Sequence, residues 1–314
     1  MATLTTAEIL LEIIEAFKVR FPFYRVLTTD FSSESMDYLQ QVIARVSLVP
    51  TVRDYDATTG YKANAAEANA LSEDVPVTLN RHKHTPIKID FLDQEGTKRN
   101  LYEEAIMNAA FALGKEAFDY ILSQVLVANF SESSVYSVAN SDKDMLDNIA
   151  GDMNTIGASP TGRYGLVNTG VYATLEADQR IASGDYHGQQ RTDNAYGNLK
   201  NVAGFENIWE YPSLPANAQN LSGFFGTKPA IVMAARVPNK TQDLAASLGV
   251  PANAKFERVT DPDSGMTLLG ITWVEQGTFD LYTTVAWMYG VALGSQGGAA
   301  GDKLDYAGHR LTII

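Results

Sequence analysis

Apolar residues recur along this chain at two spacings, and the switches between them mark out its elements. From Thr5 to Arg20, Leu10, Ile13, Ile14 and Phe17 share one stripe, and Thr5 with Glu8 has capping-box spacing, so a helix is expected. Phe21-Pro22-Phe23-Tyr24 ends it. The stripe admits two readings: a helix packed on its own core, or an N-terminal arm lying on a neighbouring chain. Met36, Leu39, Val42, Ile43 and Val46 continue at helical spacing and predict a second helix that stops before Pro50. From Thr51 to Thr85 neither period holds, and the stretch DATTGYKANAAEANALSED is small and polar. Its flanks, Val49 to Tyr55 and Val75 to Leu79, read as strands. A long two-stranded excursion is therefore expected, and because such a ribbon is marginal alone in water it should lean on something else.

Ile87 to Leu92 alternates like a strand. The longest helical pattern follows, Asn100 to about Ala128, with Leu101, Ile106, Ala109, Ala110, Leu113, Ala117, Ile121 and Val125 on one face. Lys143 to Ile156 reads as helix, Arg163 to Val167 as strand, and Gly170 to Ile181 as helix capped by Asn168 or Thr169. Tyr196 to Pro215 is a loop feeding a short apolar segment (Phe205, Ile208, Trp209) that stops at a proline. Ala230 to Val237 is an almost unbroken apolar run, the signature of a strand covered on both faces. Asn239 to Leu248 reads as a short helix ending at Gly249. Met266 to Val274 and Phe279 to Leu293 predict two long strands joined in a hairpin. The chain shows no internal repeat.

The 314 residues, 45% hydrophobic and 19% charged, have globular composition and length enough for two domains. The absence of cysteine excludes disulfides and thiolate chemistry and suits a reducing cytoplasm. Thr5 to Val19 is amphipathic and does not read as a secretory signal, and no run approaches the roughly 18 apolar residues of a membrane span. A net charge of −13, from 24 basic and 37 acidic residues, argues against tight nucleic-acid binding while remaining compatible with a surface that faces DNA without gripping it.

Candidate chemistry comes only as near-misses. Gly157 to Gly162 (GASPTG) has phosphate-loop spacing, but Arg163 and Tyr164 stand where Lys and Ser/Thr belong, so a turn is expected. Gly294 to Gly301 (GSQGGAAG) opens no helix and is read as a connector. Asp261 to Gly265 (DPDSG) hints at a calcium loop, yet its twelfth position is Thr272. His82 and His84 share a strand face with only His187 and His309 left in the chain as further ligands, so they are read with Arg81, Lys83 and Lys88 as a basic edge. No catalytic, cofactor-binding or metal-ligating residue is assigned.

The order of these elements resembles the tailed-bacteriophage major capsid proteins with the Hong Kong 97-type fold. Locally the resemblance rests on RYGLVNTGVYATLEADQRI (Arg163 to Ile181), GNLKNVAGFENIWEYPSLP (Gly197 to Pro215), DPDSGMTLLGITW (Asp261 to Trp273) and WMYGVAL (Trp287 to Leu293). It implies an α+β fold with an N-terminal arm at 1–49, an extended β-loop at 50–85, a peripheral domain with a long spine helix at 86–135 and 255–292, and an axial α/β domain at 136–254 and 293–314. It implies no enzyme and no cofactor. The expected function is self-assembly of hexamers and pentamers into an icosahedral head in the virion, built in the host bacterial cytoplasm. Scaffolding, portal and decoration proteins are the further partners, with packaged DNA against the inner wall and no membrane. The expected inter-subunit contacts are Phe17 on the arm, Arg53, Tyr55, Tyr61 and Lys62 in the loop, and Arg81 and Lys83 beside it, the basic residues facing acidic patches on neighbours. An encapsulin-like nanocompartment shell is the alternative on the same fold; from another class, an α/β enzyme without a recognisable motif could occupy the central block. A monomeric binding module conflicts with the long excursion and the amphipathic arm.

Overall fold

The computed structural model describes residues 6–47, 54–55, 57–58, 61, 72–90, 101–131, 133–182, 198–212, 214, 219–238, 253–275, 277–294 and 308–313. In order they form α1 (Thr6–Arg20), β1 (Thr28–Met36), β2 (Gln41–Ser47), β3 (Ser72–Thr78), β4 (Arg81–Ile89), α2 (Leu101–Ser123), β5 (Ser133–Tyr136), α3 (Lys143–Thr155), β6 (Tyr164–Val167), α4 (Thr169–Ala177) and α5 (Gln179–Ala182). There follow β7 (Asn198–Val202), β8 (Phe205–Glu210), β9 (Leu221–Gly226), β10 (Ile231–Pro238), β11 (Lys255–Thr260), β12 (Thr267–Val274), β13 (Leu281–Leu293) and β14 (Gly308–Ile313).

Two six-stranded sheets and a two-stranded ribbon organise the described residues. The first sheet runs β1-β10-β13-β12-β11, with β4 on the opposite side of β13. The unbroken apolar run of β10 is explained by its position. Ile231, Met233 and Ala235 face the aromatic core beneath α1 and α2, while Val232 and Ala234 face the ribbon. Both faces are covered, so no position is left for a polar residue except Arg236, whose guanidinium donates to the Asp30 carboxylate at 2.7 Å. β12 and β13 form the expected hairpin, from Leu269 opposite Ala286 to Val274 opposite Leu281.

The second sheet runs β5-β14-β9-β6-β8-β7. One face packs on α3 and α4 through Met145, Leu146, Ile149, Val171 and Leu175; the other sends Tyr164, Leu166, Trp209 and Phe224 into the first sheet's core. Asn168 caps α4, its Oδ1 accepting from the Val171 N–H at 2.9 Å. The apolar segment around Trp209 is one arm of the β7–β8 hairpin, which turns at Ala203 (φ 51°) and Gly204 (φ 83°).

Three readings are corrected. Residues 36–46 form no helix: β1 ends at Met36 and β2 begins at Gln41, with Leu39 in the left-handed region at φ 67° between them. The operative pattern is Val42, Ala44 and Val46 alternating inward, and β-branched residues fit that pleated face better than a helix. The ribbon's first strand therefore lies upstream of the expected 49–55. β10, expected within the axial block, is instead central to the first sheet. The reading of Asn239 to Leu248 lies outside the described residues.

Candidate assembly surfaces

The first expected contact, Phe17, is withdrawn from the surface. Its ring lies 5.5 Å from Phe21, 6.1 Å from Phe118 and 5.7 Å from Trp287, all within this chain. The stripe that admitted two readings is satisfied internally: Leu10, Ile13, Ile14 and Phe17 are all buried where α1 packs on α2, β11 and β12. A polar latch reinforces this docking. Lys18 Nζ lies 3.0 Å from an Asp261 carboxylate oxygen, and the Ser264 N–H and hydroxyl also donate to that carboxylate. Burial opposes ionisation of Asp261, but the hydrogen bonds from Ser264 and Lys18 outweigh it and hold the carboxyl below its ordinary value. The suspected calcium loop is thus a turn closed by its own hydroxyl and a lysine.

Arg81 and Lys83 also find partners within the chain. The Arg81 guanidinium sits 4.1 Å from the centroid of the Tyr120 ring, and Lys83 Nζ is 2.7 Å from Glu116 on α2. β4 is thereby fastened to the long helix. His82 and His84 are both exposed on β4.

Tyr55 and Tyr61 are placed otherwise. Their rings meet at 5.0 Å and are 64% and 96% exposed. Arg53 and Lys62 lie outside the described residues. The ribbon below contributes a second exposed surface. Val42, Ala44, Val46, Val75, Val77 and Leu79 face Val232, Ala234 and Met288 of the first sheet, so the excursion leans on its own chain. The opposite ribbon face carries Ile43 opposite Pro76, both exposed, with Tyr38 and Leu39 exposed at its base. The Arg45–Asp74 ion pair beside them is exposed at 3.4 Å and contributes little. Sequence reading missed Ile43 because it counted that residue into a helix stripe; alternation from Val42 to Val46 points it outward.

The phosphate-loop near-miss also resolves as architecture. The Arg163 guanidinium donates to the carbonyls of Ser159 (2.7 Å), Ala158 (2.7 Å) and Ala150 (3.2 Å), and to the Asn154 side chain (2.8 Å). It organises the turn from within, and a planar five-donor group is what four diverging acceptors require. Arg180 similarly gathers Asp142, Asp144 and Asp178 at the start of α3. Among the described residues no three His, Asp or Glu side chains converge as a metal site would require, and no helix is long and apolar enough to cross a membrane.

No protein-family model and no curated protein matches the chain. Solved structures do. The capsid of cyanophage P-SCSP1u aligns over 92% of this chain and 86% of its own, with TM-score 0.56 and 12% identity. The mature capsid of bacteriophage PhiM1 aligns over 93% and 87%, with TM-score 0.51 and 12% identity. The capsid of Ralstonia phage GP4 aligns over 91% and 86%, with TM-score 0.51 and 10% identity. Identity this low carries architecture rather than activity. The two sheets, the ribbon and the long helix of this chain together make the Hong Kong 97-type phage capsid fold.

Proposed function

We propose that this chain is the major capsid protein of a tailed phage, a structural subunit that assembles with copies of itself into the closed shell of the virion. The observation that supports this most strongly is the alignment of nearly the whole chain with phage capsid structures. A shell subunit performs no reaction. It repeats one set of heterologous contacts around local symmetry axes until the assembly closes. Each contact can be modest, because a subunit touches several neighbours at once.

On this reading α1 through β1 braces the subunit's own core, and the ribbon with its loop reaches over the next subunit. Tyr55 and Tyr61, large and amphipathic, supply contact area at low entropic cost, and the Ile43–Pro76 face of the ribbon supplies more. Arg53 and Lys62, in the same loop, extend that contact. Residues 86–135 with 255–292 form the peripheral part around α2. The acidic balance leaves the inner wall without attraction for packaged DNA.

The test is size. The chain is expressed alone, and with its scaffold if one is encoded nearby, then passed through light scattering and imaged by electron microscopy. Closed shells or capsomer rings are the expected result, and deleting residues 57–70 should leave a folded chain that no longer closes. A persistent monomer in both preparations, or full-sized shells from the deletion, overturns the proposal. Particles that fill with a protein cargo mark a compartment shell instead.

A further inference from the structure

His309 is the one histidine among the described residues that is wholly shielded from solvent. It lies on β14, between the edge strand β5 and the interior strand β9. Its Nε2 is 2.8 Å from the Ser134 hydroxyl on β5, and that hydroxyl is oriented to donate to the Asp152 carboxylate of α3 across a long 3.4 Å contact. If Ser134 donates to Asp152, then Nε2 carries the proton and donates to Ser134, which leaves Nδ1 as a bare lone pair. Nδ1 is buried and meets no hydrogen-bond partner among the described residues. The neutral ring therefore completes a relay, His309 to Ser134 to Asp152, that joins the sheet edge, its neighbour strand and the helix above.

A second proton has nowhere to go within this arrangement. It would place an N–H at Nδ1 without an acceptor, inside a cluster formed by Phe225, Leu311, Ile149 and Met153. The groups facing the ring are Ser134 from β5, Asp152 from α3 and the apolar Phe225 from β9. Arg310, its neighbour on β14, points to the opposite face and donates to the Phe130 carbonyl at 2.7 Å, adding positive charge without offering an acceptor. Burial favours the neutral ring, Arg310 acts in the same direction and Asp152 acts against it; the net effect lowers the affinity of the folded state for the proton.

We propose that His309 is a proton-operated latch on the edge of the second sheet: neutral, it fastens β5 to β14 and α3, and on protonation it lets that edge go. β5 suits such a device. It is only four residues long and among the described residues pairs with the sheet along β14 alone, from Arg310 opposite Ser133 to Ile313 opposite Tyr136. The proposal concerns a single chain and stands apart from the reading of the protein as a shell subunit.

The sign follows from linkage. The open edge exposes an ordinary imidazole, so it binds a proton more tightly than the closed edge does. The closed edge is fully favoured above pH about 6.5 and loses ground as pH falls from there toward the lower folded value. Hydrogen exchange with mass spectrometry on the full chain, corrected for intrinsic rates, reads this directly between about pH 8 and pH 5. Residues 133–136 should keep their protection down to pH about 6.5 and below it lose up to roughly tenfold for each pH unit, while residues 164–167 at the sheet centre keep theirs throughout. His309→Gln should flatten the profile, and Asp152→Asn, which removes the charge that favours the imidazolium in the closed edge, should leave the onset near pH about 6.5 and deepen the loss below it. A flat wild-type profile, an unchanged loss in His309→Gln, or a shallower loss in Asp152→Asn each overturns the proposal. The wild-type profile decides alone if the glutamine chain does not fold.

Discussion

A methyl group on Gly290 would lie 2.1 Å from the Thr78 carbonyl oxygen, 2.8 Å from the Thr78 carbonyl carbon and 3.2 Å from Leu79 Cα. All three are backbone atoms at the foot of the ribbon, so no side-chain rotation relieves the clash. Gly290→Ala must shift the ribbon by more than an ångström or strain β13. Which occurs is set by what holds the ribbon down. Val42, Val46, Val75, Val77 and Leu79 are all buried beneath it, and at about 1.5–3 kcal/mol each their burial is worth on the order of 8–15 kcal/mol. That is an upper figure, since the unfolded chain already hides part of this surface. Overpacking by one methyl typically costs about 1–3 kcal/mol. Burial wins, so the ribbon should stay seated but displaced. Urea unfolding should show a loss of about 1–3 kcal/mol, with hydrogen-exchange protection of residues 41–47 and 72–78 reduced but not abolished. Gly277→Ala, with nothing within 4 Å of the added methyl, is the control and should remain within about 0.5 kcal/mol. A Gly290→Ala chain as stable as that control would refute the close crossing of ribbon over sheet.

Asn168→Ala removes the α4 cap and should cost about 1 kcal/mol in urea unfolding, with no change in assembly. Lys18→Met takes a cation from the buried Asp261 carboxylate and should lower stability at neutral pH by about 1–3 kcal/mol. Because the native carboxyl sits below its ordinary value, its contribution is present above about pH 3.9 and lost as pH falls below that; in Lys18→Met this acid-side loss should be shallower in pH-dependent unfolding. The double change Tyr55→Ser with Tyr61→Ser should leave the melting curve unaltered while reducing the yield of closed shells in light scattering, and unchanged yield would remove these rings from the contact.

Legibility followed burial. Where an element buries one face against its own chain, the pattern was readable: Leu10, Ile13, Ile14 and Phe17 named α1, and the run through Val232 named β10. β1 escaped because it is an edge strand of mostly polar residues, TTDFSSESM, with no alternation strong enough to announce it. The misread helix at 36–46 arose where 3.6- and 2-residue spacings coincide over a short stretch, with Ala44 too small to make the alternation obvious. At the candidate assembly surface, the exposed tyrosines could be proposed from their loop, but the internal engagement of Arg81 and Lys83 could not: Tyr120 and Glu116 lie more than thirty residues further along the chain and meet them only in space. Ser134, Asp152 and His309 were equally invisible, since no spacing links residues brought together by a parallel strand pair and a helix.

The two sheets share one continuous aromatic seam. Phe23 contacts Phe118 at 4.3 Å and Tyr211 at 5.5 Å, Phe130 meets Phe224 at 4.9 Å, and the Tyr211 hydroxyl reaches Asp119 on α2 at 2.8 Å. In mechanical terms the chain is a stiff body, a tile in the proposed shell, because a close-packed interior compresses little and transmits load from one sheet to the other. A wall built of such tiles does not flex through their middles. In a shell assembled as proposed, outward pressure is carried across each tile and concentrated at its margins. Compliance, and the first cracks under indentation, then belong to the joints between copies.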